Sequence, residues 1–224
     1  MEKIIDSSKI KILMLTFVSV ICNLFYGQNT DISVLKKMST LNNEKSLGLD
    51  INISYPKDWY EAEGQRPHIL FNVKNNRKTI YSTFYISDLL ENFDEKEKNE
   101  FSKLNAVEVN AFVNSTLPTA ETCKEYFLKN GFDQFITPEC NFTKIEGLQT
   151  SVSSAVVSKE RAGFISKFYY ILYQIPYETK IIGVAFSFLG IENSEDRILA
   201  DLFAKKTMNT LVINNLWKKE NNAR

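Results

Sequence analysis

The residues of this 224-residue chain that could do chemistry are few, and their spacing excludes most of what they might do elsewhere. His68 is the single histidine and follows Pro67 at the start of an alternating apolar stretch. A hydrolytic triad needs a base beside its nucleophile, and zinc catalysis draws on two or three imidazoles. His68 is therefore read as structural. The chain contains no G-x-S-x-G elbow, P-loop or G-x-G-x-x-G fingerprint. A glycosidase can take its two carboxylates from anywhere in a sequence, and no spacing here singles out such a pair. The run Asp94 to Glu100, DEKEKNE, lacks the alternating ligands and central glycine of a calcium loop, so it reads as the solvated face of a helix. No metal, cofactor or catalytic residue is expected.

Three cysteines remain to be placed: Cys22, Cys123 and Cys140. Cys22 falls in an N-terminal apolar run. It follows Ile21, where a lipidated cysteine usually follows Gly, Ala or Ser. Cys123 and Cys140 fit neither a redox C-x-x-C pair nor a zinc cluster. In an exported chain an even count favours a disulfide between them, with two buried thiols as the alternative. The bond would close a loop for which chain entropy gives roughly 3 kcal/mol.

Aromatic side chains offer a different chemistry, that of recognition. Tyr81, Tyr85, Tyr169, Tyr173 and Tyr177 lie on strands or a turn, and several on one exposed face would make a platform for a glycan or peptide. Packing beneath helices is the plainer expectation. Trp217, beside Leu216 and flanked by Lys218 and Lys219, reads as the last turn of a helix, with a membrane or partner contact as the other reading. Sequons at Asn52, Asn114 and Asn141 carry no functional weight in an Asn-rich chain.

Charge and the N-terminus restrict the partners. Lys+Arg and Asp+Glu are both 27, so there is no basic footprint for nucleic acid. Residues 1–27 have the anatomy of a secretory signal: Lys3, Lys9 and Lys11, then the apolar run Ile12 to Tyr26, then Gly27 before a polar stretch. The run is shorter than the ~20 residues a spanning helix requires. A periplasmic or secreted protein without a stable membrane span is expected after cleavage, with anchoring through the N-terminal segment the lesser alternative.

The elements around these residues follow from periodicity. Ile32, Leu35, Met38 and Leu41 stand at roughly helical spacing, predicting a short helix or ordered lead-in. Leu49, Ile51, Ile53 and Tyr55 alternate with polar residues as a half-buried strand ended by Pro56. His68 to Lys74 and Lys78 to Ile86 read as a hairpin across Asn75-Asn76. A helix is predicted through Phe101, Leu104, Val107 and Phe112. Another runs from Pro118-Thr119 to Gly131, with Phe132 folding back on Phe127 in a Schellman ending. Strands follow at 142–148 and 149–159. Gly163 to Gly190 is then a long hairpin turning at 176–179, apolar on both alternating faces from Phe168 to Tyr173 and over most of Ile181 to Leu189. Strands that read so are covered on both sides. Asn193 or Ser194 caps a last helix, with Ile198, Leu199, Leu202, Phe203 and Leu211 toward the sheet and Arg197, Lys205 and Lys206 in water.

With its strand ending in Pro56 and Trp59 three residues on, the stretch ISYPKDWY (Ile53 to Tyr60) resembles the first strand of the PsbP-like superfamily, which also takes in Mog1 and DcrB-like exported proteins. The pattern of elements extends the resemblance over roughly residues 49–213, to the C-terminal helix running into Met208-Asn209-Thr210-Leu211. It implies an α+β fold, a mostly antiparallel central sheet with helices on both faces in a three-layer α/β/α sandwich. It also implies a non-catalytic role, and it supplies no site residues. The expected organisation is a signal at 1–27, a lead-in at 28–48, one domain at 49–213 and a polar tail at 214–224. The expected function is an exported, non-enzymatic protein that binds a protein partner. A small-ligand or glycan module on the aromatic face is the alternative, and a hydrolase with an unrecognised carboxylate pair comes third.

Overall fold

A computed structural model describes residues 34–63, 66–132, 134–161, 164–191 and 193–216. The signal-like segment 1–27 and Trp217 lie outside these residues. The hairpin predicted at 163–190 is present as β8 (Phe164–Tyr177) and β9 (Lys180–Leu189), turning through Glu178 in the left-handed region. It stands at the centre of a wholly antiparallel sheet of seven strands. β9 pairs with β5 (Ile80–Asp88), which continues to β4 (Ile69–Lys74) and the short edge strand β3 (Tyr60–Glu63). On the other side β8 pairs with β7 (Leu148–Arg161), and β7 with the edge strand β6 (Gln134–Ile145).

Register decides what each face holds, because residues directly opposite in an antiparallel ladder point the same way. On one face lie the rows Ser82–Phe186–Ile171 and Phe84–Val184–Tyr173. On the other lie Thr83–Ala185–Leu172–Ser153–Cys140 and Tyr85–Gly183–Gln174. The first face is covered by the last helix, here α4 (Ser194–Met208), and by a small sheet in which β2 (Ile51–Pro56) is flanked by β1 (Leu35–Ser39) and β10 (Val212–Ile213). Ile51, Ile53 and Tyr55 of β2 join Phe84, Phe186, Ala204 and Met208 in the main core.

The second face carries α1 (Glu95–Phe101), α2 (Ala106–Ser115) and α3 (Cys123–Lys129). The single helix expected here is two, because Asp94 with Glu97 and Asn105 with Glu108 each form a capping box and start a helix of their own. α3 ends as expected: Phe132 N–H donates to Phe127 C=O and Gly131 N–H to Leu128 C=O, each at 3.1 Å, with Gly131 at φ 75°. Fully buried Phe127 anchors this second core, worth about 1.5–3 kcal/mol for the one side chain. The three-layer α+β sandwich is thus observed.

Two expectations are corrected. The stretch read as helix around residues 32–41 contains strand β1, paired with β2 from Leu35↔Pro56 to Ser39↔Asn52. Of its five residues only Met38 is buried, so a strand lying over the domain satisfies the backbone where a helix would find little to bury. β6 begins well before residue 142, its ladder interrupted between Ile136 and Glu139.

A candidate interaction surface on helix α4

α4 begins at Asn193, whose side chain accepts the Asp196 N–H at 2.8 Å and so satisfies an orphan donor of the first turn. Its sheet side is small: Ala200 and Ala204 are buried, joined by Thr207 and Met208. This rolls the helix away from the expected orientation. Ile198 and Leu202, expected against the sheet, are 58% and 55% exposed on its outer side. Alanines let the helix axis come close to the strands, and the larger residues two positions before each, Ile198 and Leu202, are carried outward.

Arg197 and Asp201, one turn apart, stand on the flank of α4 that overlooks β6 to β8. Tyr169 of β8 donates its hydroxyl to Asp201 Oδ1 at 2.9 Å. Val156 lies opposite Tyr169 in the ladder, and Ile136, 57% exposed, lies opposite Val156. Glu139 is opposite Ser154 in the next row. Partial burial, with the negative charge of Glu139, holds the Asp201 carboxyl above the usual aspartate range, opposed by the Tyr169 hydrogen bond. Burial also pushes the Tyr169 phenol up to about 12; Ser154 works against it, and Asp201 and Glu139 add to it. Tyr173 is likewise pushed up to about 12, by burial first and then by Asp201.

Arg197 reaches Thr137 Oγ1 through Nη1 at 3.4 Å, while its buried Nε meets no acceptor among the described residues. Thr137 itself sits at φ 49°, an uncommon backbone for a β-branched residue, within the interrupted part of the β6 ladder before Pro138. The surface therefore combines Arg197 and two carboxylates with exposed Ile136, Ile198 and Leu202, and buried Tyr169 holds Asp201 from below. An Arg beside aliphatic contact area is a composition found in protein interface centres. Glu139 and Asp201 are both exposed. An open surface suits the side chains of a partner better than it suits bond cleavage, which gains from excluding water.

The residues singled out by sequence lie elsewhere. Cys123 on α3 and Cys140 on β6 form a disulfide, with Cα atoms 5.6 Å apart, and the Ser153 hydroxyl donates to Cys140 Sγ at 3.3 Å. The bond pins α3 to the second face. His68 packs edge-on to Tyr85 with ring centroids 6.1 Å apart, and its carbonyl accepts the Ile86 N–H at 3.0 Å, a structural role. The five tyrosines do not share a face. Tyr169, Tyr173 and Tyr177 are buried in the main core, whereas Tyr81 and Tyr85 belong to the opposite side. There Tyr85 is raised to about 12 by burial, with Gln174 opposing, and Tyr126 and Tyr170 are raised further by burial and by Tyr85. No group of three or more His, Cys, Asp or Glu that could hold a metal occurs among the described residues. No helix among them is long and apolar enough to cross a membrane.

Sequence reasoning missed the α4 surface because its residues come from three separate elements. The readable signal was the i, i+4 pair Arg197 and Asp201 beside Ala200 and Ala204, which marks a helix flank next to a close-packed face.

No family model matches the chain, and no curated protein does. Among solved structures it is similar to the cyanobacterial PsbP of Synechocystis sp. PCC 6803, at 12% identity and a TM-score of 0.46, over 81% of this chain and 94% of that one. It is similar to the Ran-binding protein Mog1p of Saccharomyces cerevisiae, at 11% identity and a TM-score of 0.42, over 80% and 95% of the two chains. A protein of Bacteroides thetaiotaomicron aligns at 13% identity and a TM-score of 0.38, over 73% of this chain and 44% of its own. The likeness lies in the course of the chain. No function is carried over from it.

Proposed function

We propose that this is an exported, non-catalytic protein that binds a protein partner through the outer and flanking side of α4. The observation that carries the reading is the exposure of Ile198 and Leu202 beside the Tyr169–Asp201 hydrogen bond and the Arg197 side chain. A helix in a two-sided sandwich normally turns its Ile and Leu inward; here two of them face solvent one turn apart, which a permanently uncovered helix gains nothing from. Export rests on the lysine-flanked apolar run of residues 1–27 and is supported by the Cys123–Cys140 bond, since disulfides persist in oxidising compartments. The periplasm or the cell exterior is the matching location.

The test is a comparison of the mature chain with an Ile198→Asp/Leu202→Asp variant of equal thermal midpoint. Partners are captured from the envelope and secreted fractions of the exporting cell, and the affinity of each is then measured with purified components. The reading expects a partner bound by the wild type and weakened at least tenfold by the double variant. Equal binding by both proteins, or turnover of a small substrate without any specific partner, would sink it.

A further inference from the structure

The helices of the second face do not cover all of it. They pack on β6, β7 and β8 and on the Ile181 end of β9. The part formed by β3, β4 and the first half of β5 keeps exposed and half-buried side chains. Register places one cross-strand row there: Tyr60 of β3 opposite Lys74 of β4, Lys74 opposite Tyr81 of β5, and Tyr81 opposite Ser187 of β9. Residues directly opposite point the same way, so Lys74 stands between two tyrosines on one surface. Tyr60 is 56% and Tyr81 37% exposed, and Lys74 is half-buried. Two strand spacings separate the tyrosines, roughly 10 Å. In the next row Asn72 lies opposite Thr83, whose hydroxyl donates to Asn72 Oδ1 at 2.8 Å. That bond orients the amide, and its Nδ2 meets no acceptor among the described residues.

We infer that this row binds an extended acidic polysaccharide, one whose sugars carry carboxylates. Three features set the class. Exposed aromatic rings on a sheet present flat apolar faces, on which the C–H face of a pyranose stacks. Tyr60 and Tyr81 hold two such rings a fixed distance apart along one line, which suits a repeating chain better than a single small molecule. Lys74 supplies the charge complementarity: it stands midway on that line and pairs with no carboxylate among the described residues. Glu61, the next residue along β3, points to the other side of the sheet and is held by Lys36 at 2.6 Å, so it does not compete. A sugar carboxylate meets Lys74, and the Asn72 amide and Ser187 hydroxyl beside it serve ring hydroxyls. A neutral glycan gains only the stacking and hydrogen bonds, and an acidic peptide gains only the ion pair.

Hexamers of galacturonate and of mannuronate are titrated into the mature chain at low ionic strength, following the heat of binding. Cellohexaose is the neutral control and hexaglutamate the acidic peptide. The expected result is saturable binding of at least one acidic hexasaccharide below about 1 mM, at least tenfold tighter than either control and weakened by added salt. Tyr60→Ala, Tyr81→Ala and Lys74→Gln should each weaken it at least fivefold at an unchanged thermal midpoint. Lys74→Gln should also erase the preference for the acidic over the neutral hexamer, whereas Lys205→Gln, exposed on α4, should change nothing. The inference is overturned by absence of saturation up to about 10 mM, by cellohexaose or hexaglutamate binding as tightly, or by an unchanged affinity in Lys74→Gln. Because the row lies on the face opposite α4, the Ile198→Asp/Leu202→Asp variant keeps this binding, so the partner reading and this one stand or fall separately.

Discussion

Tyr85 lies across Gly183, its direct neighbour in the β5–β9 ladder, so closely that a Cβ built on Gly183 would come 2.0 Å from the Tyr85 Cζ. The glycine is required here for the ring that covers it, on a strand otherwise filled with large apolar residues. Gly183→Ala therefore has to displace the ring or the strand, and it is expected to lower stability by about 1–3 kcal/mol. The companion change Tyr85→Ala opens the space, so the double variant should lose less than the two singles added together. Urea unfolding of the four proteins measures this. Strict additivity would mean that ring and glycine do not share the site.

Reducing the Cys123–Cys140 bond, or replacing both residues by alanine, is expected to cost roughly 3 kcal/mol by chain entropy. The loss should be concentrated in α3 and β6, whose attachment to each other the bond enforces. Unfolding midpoints with and without reductant provide the check. Recovery of two alkylated thiols from the denatured, unreduced mature protein would refute the bond itself.

Asp201 makes a pH-dependent contribution whose sign follows from its raised carboxyl. An unfolded aspartate titrates at about 3.9. The folded protein keeps the Asp201 proton somewhat above that value, so the stability tied to this group is highest at low pH. It is lost as pH rises from the unfolded value through the folded one. Asp201→Asn should remove that slope, and its stability relative to wild type should rise over that window. In Tyr169→Phe the hydrogen bond that favours the carboxylate is gone, so the Asp201 pKa should move further up. Carboxyl NMR titration of the two proteins decides; a downward move in Tyr169→Phe would contradict the arrangement.

The roll of α4 makes a contrast that substitutions can read. Ile198→Thr and Leu202→Thr, on the exposed side, are each expected to stay within about 0.5 kcal/mol of wild type. Ala204→Leu, at a fully buried position, should overpack the helix against the strands and cost about 1–3 kcal/mol. Thermal unfolding would expose a wrong orientation at once, by reversing the order.

Much of the sandwich could be read in advance, because its centre has strong local signals. From Phe168 to Tyr173 both faces are apolar, and the hairpin through Glu178 and Thr179 follows directly. The Phe127–Gly131–Phe132 ending is written in adjacent residues and forms as expected. What escaped depends on contacts between distant residues. Leu35 and Met38 stand at helical spacing, yet β1 forms because β2 offers it a ladder, and pairing outweighs so short a period. Ile198 and Leu202 carry the same hydrophobicity as Leu199 and Phe203, and only the close approach permitted by Ala200 and Ala204 decides which pair turns inward. Tyr169, Asp201 and Glu139 gather from β8, α4 and β6, so no window of sequence contains them together.

The order of strands also bears on how the chain reaches this state. β6, β7, β8 and β9 pair with one another in chain order, whereas β5 finds β9 only after α1, α2, α3 and three strands have intervened. Local pairings close short loops at small entropic cost, and distant ones form late. The meander is thus the expected nucleus, and the docking of β5 on β9 the step that seals both cores. Pulse-labelled hydrogen exchange should show amides of β7 and β8 protected before those of β2 and β4; simultaneous protection would mean that the sheet assembles in a single concerted step.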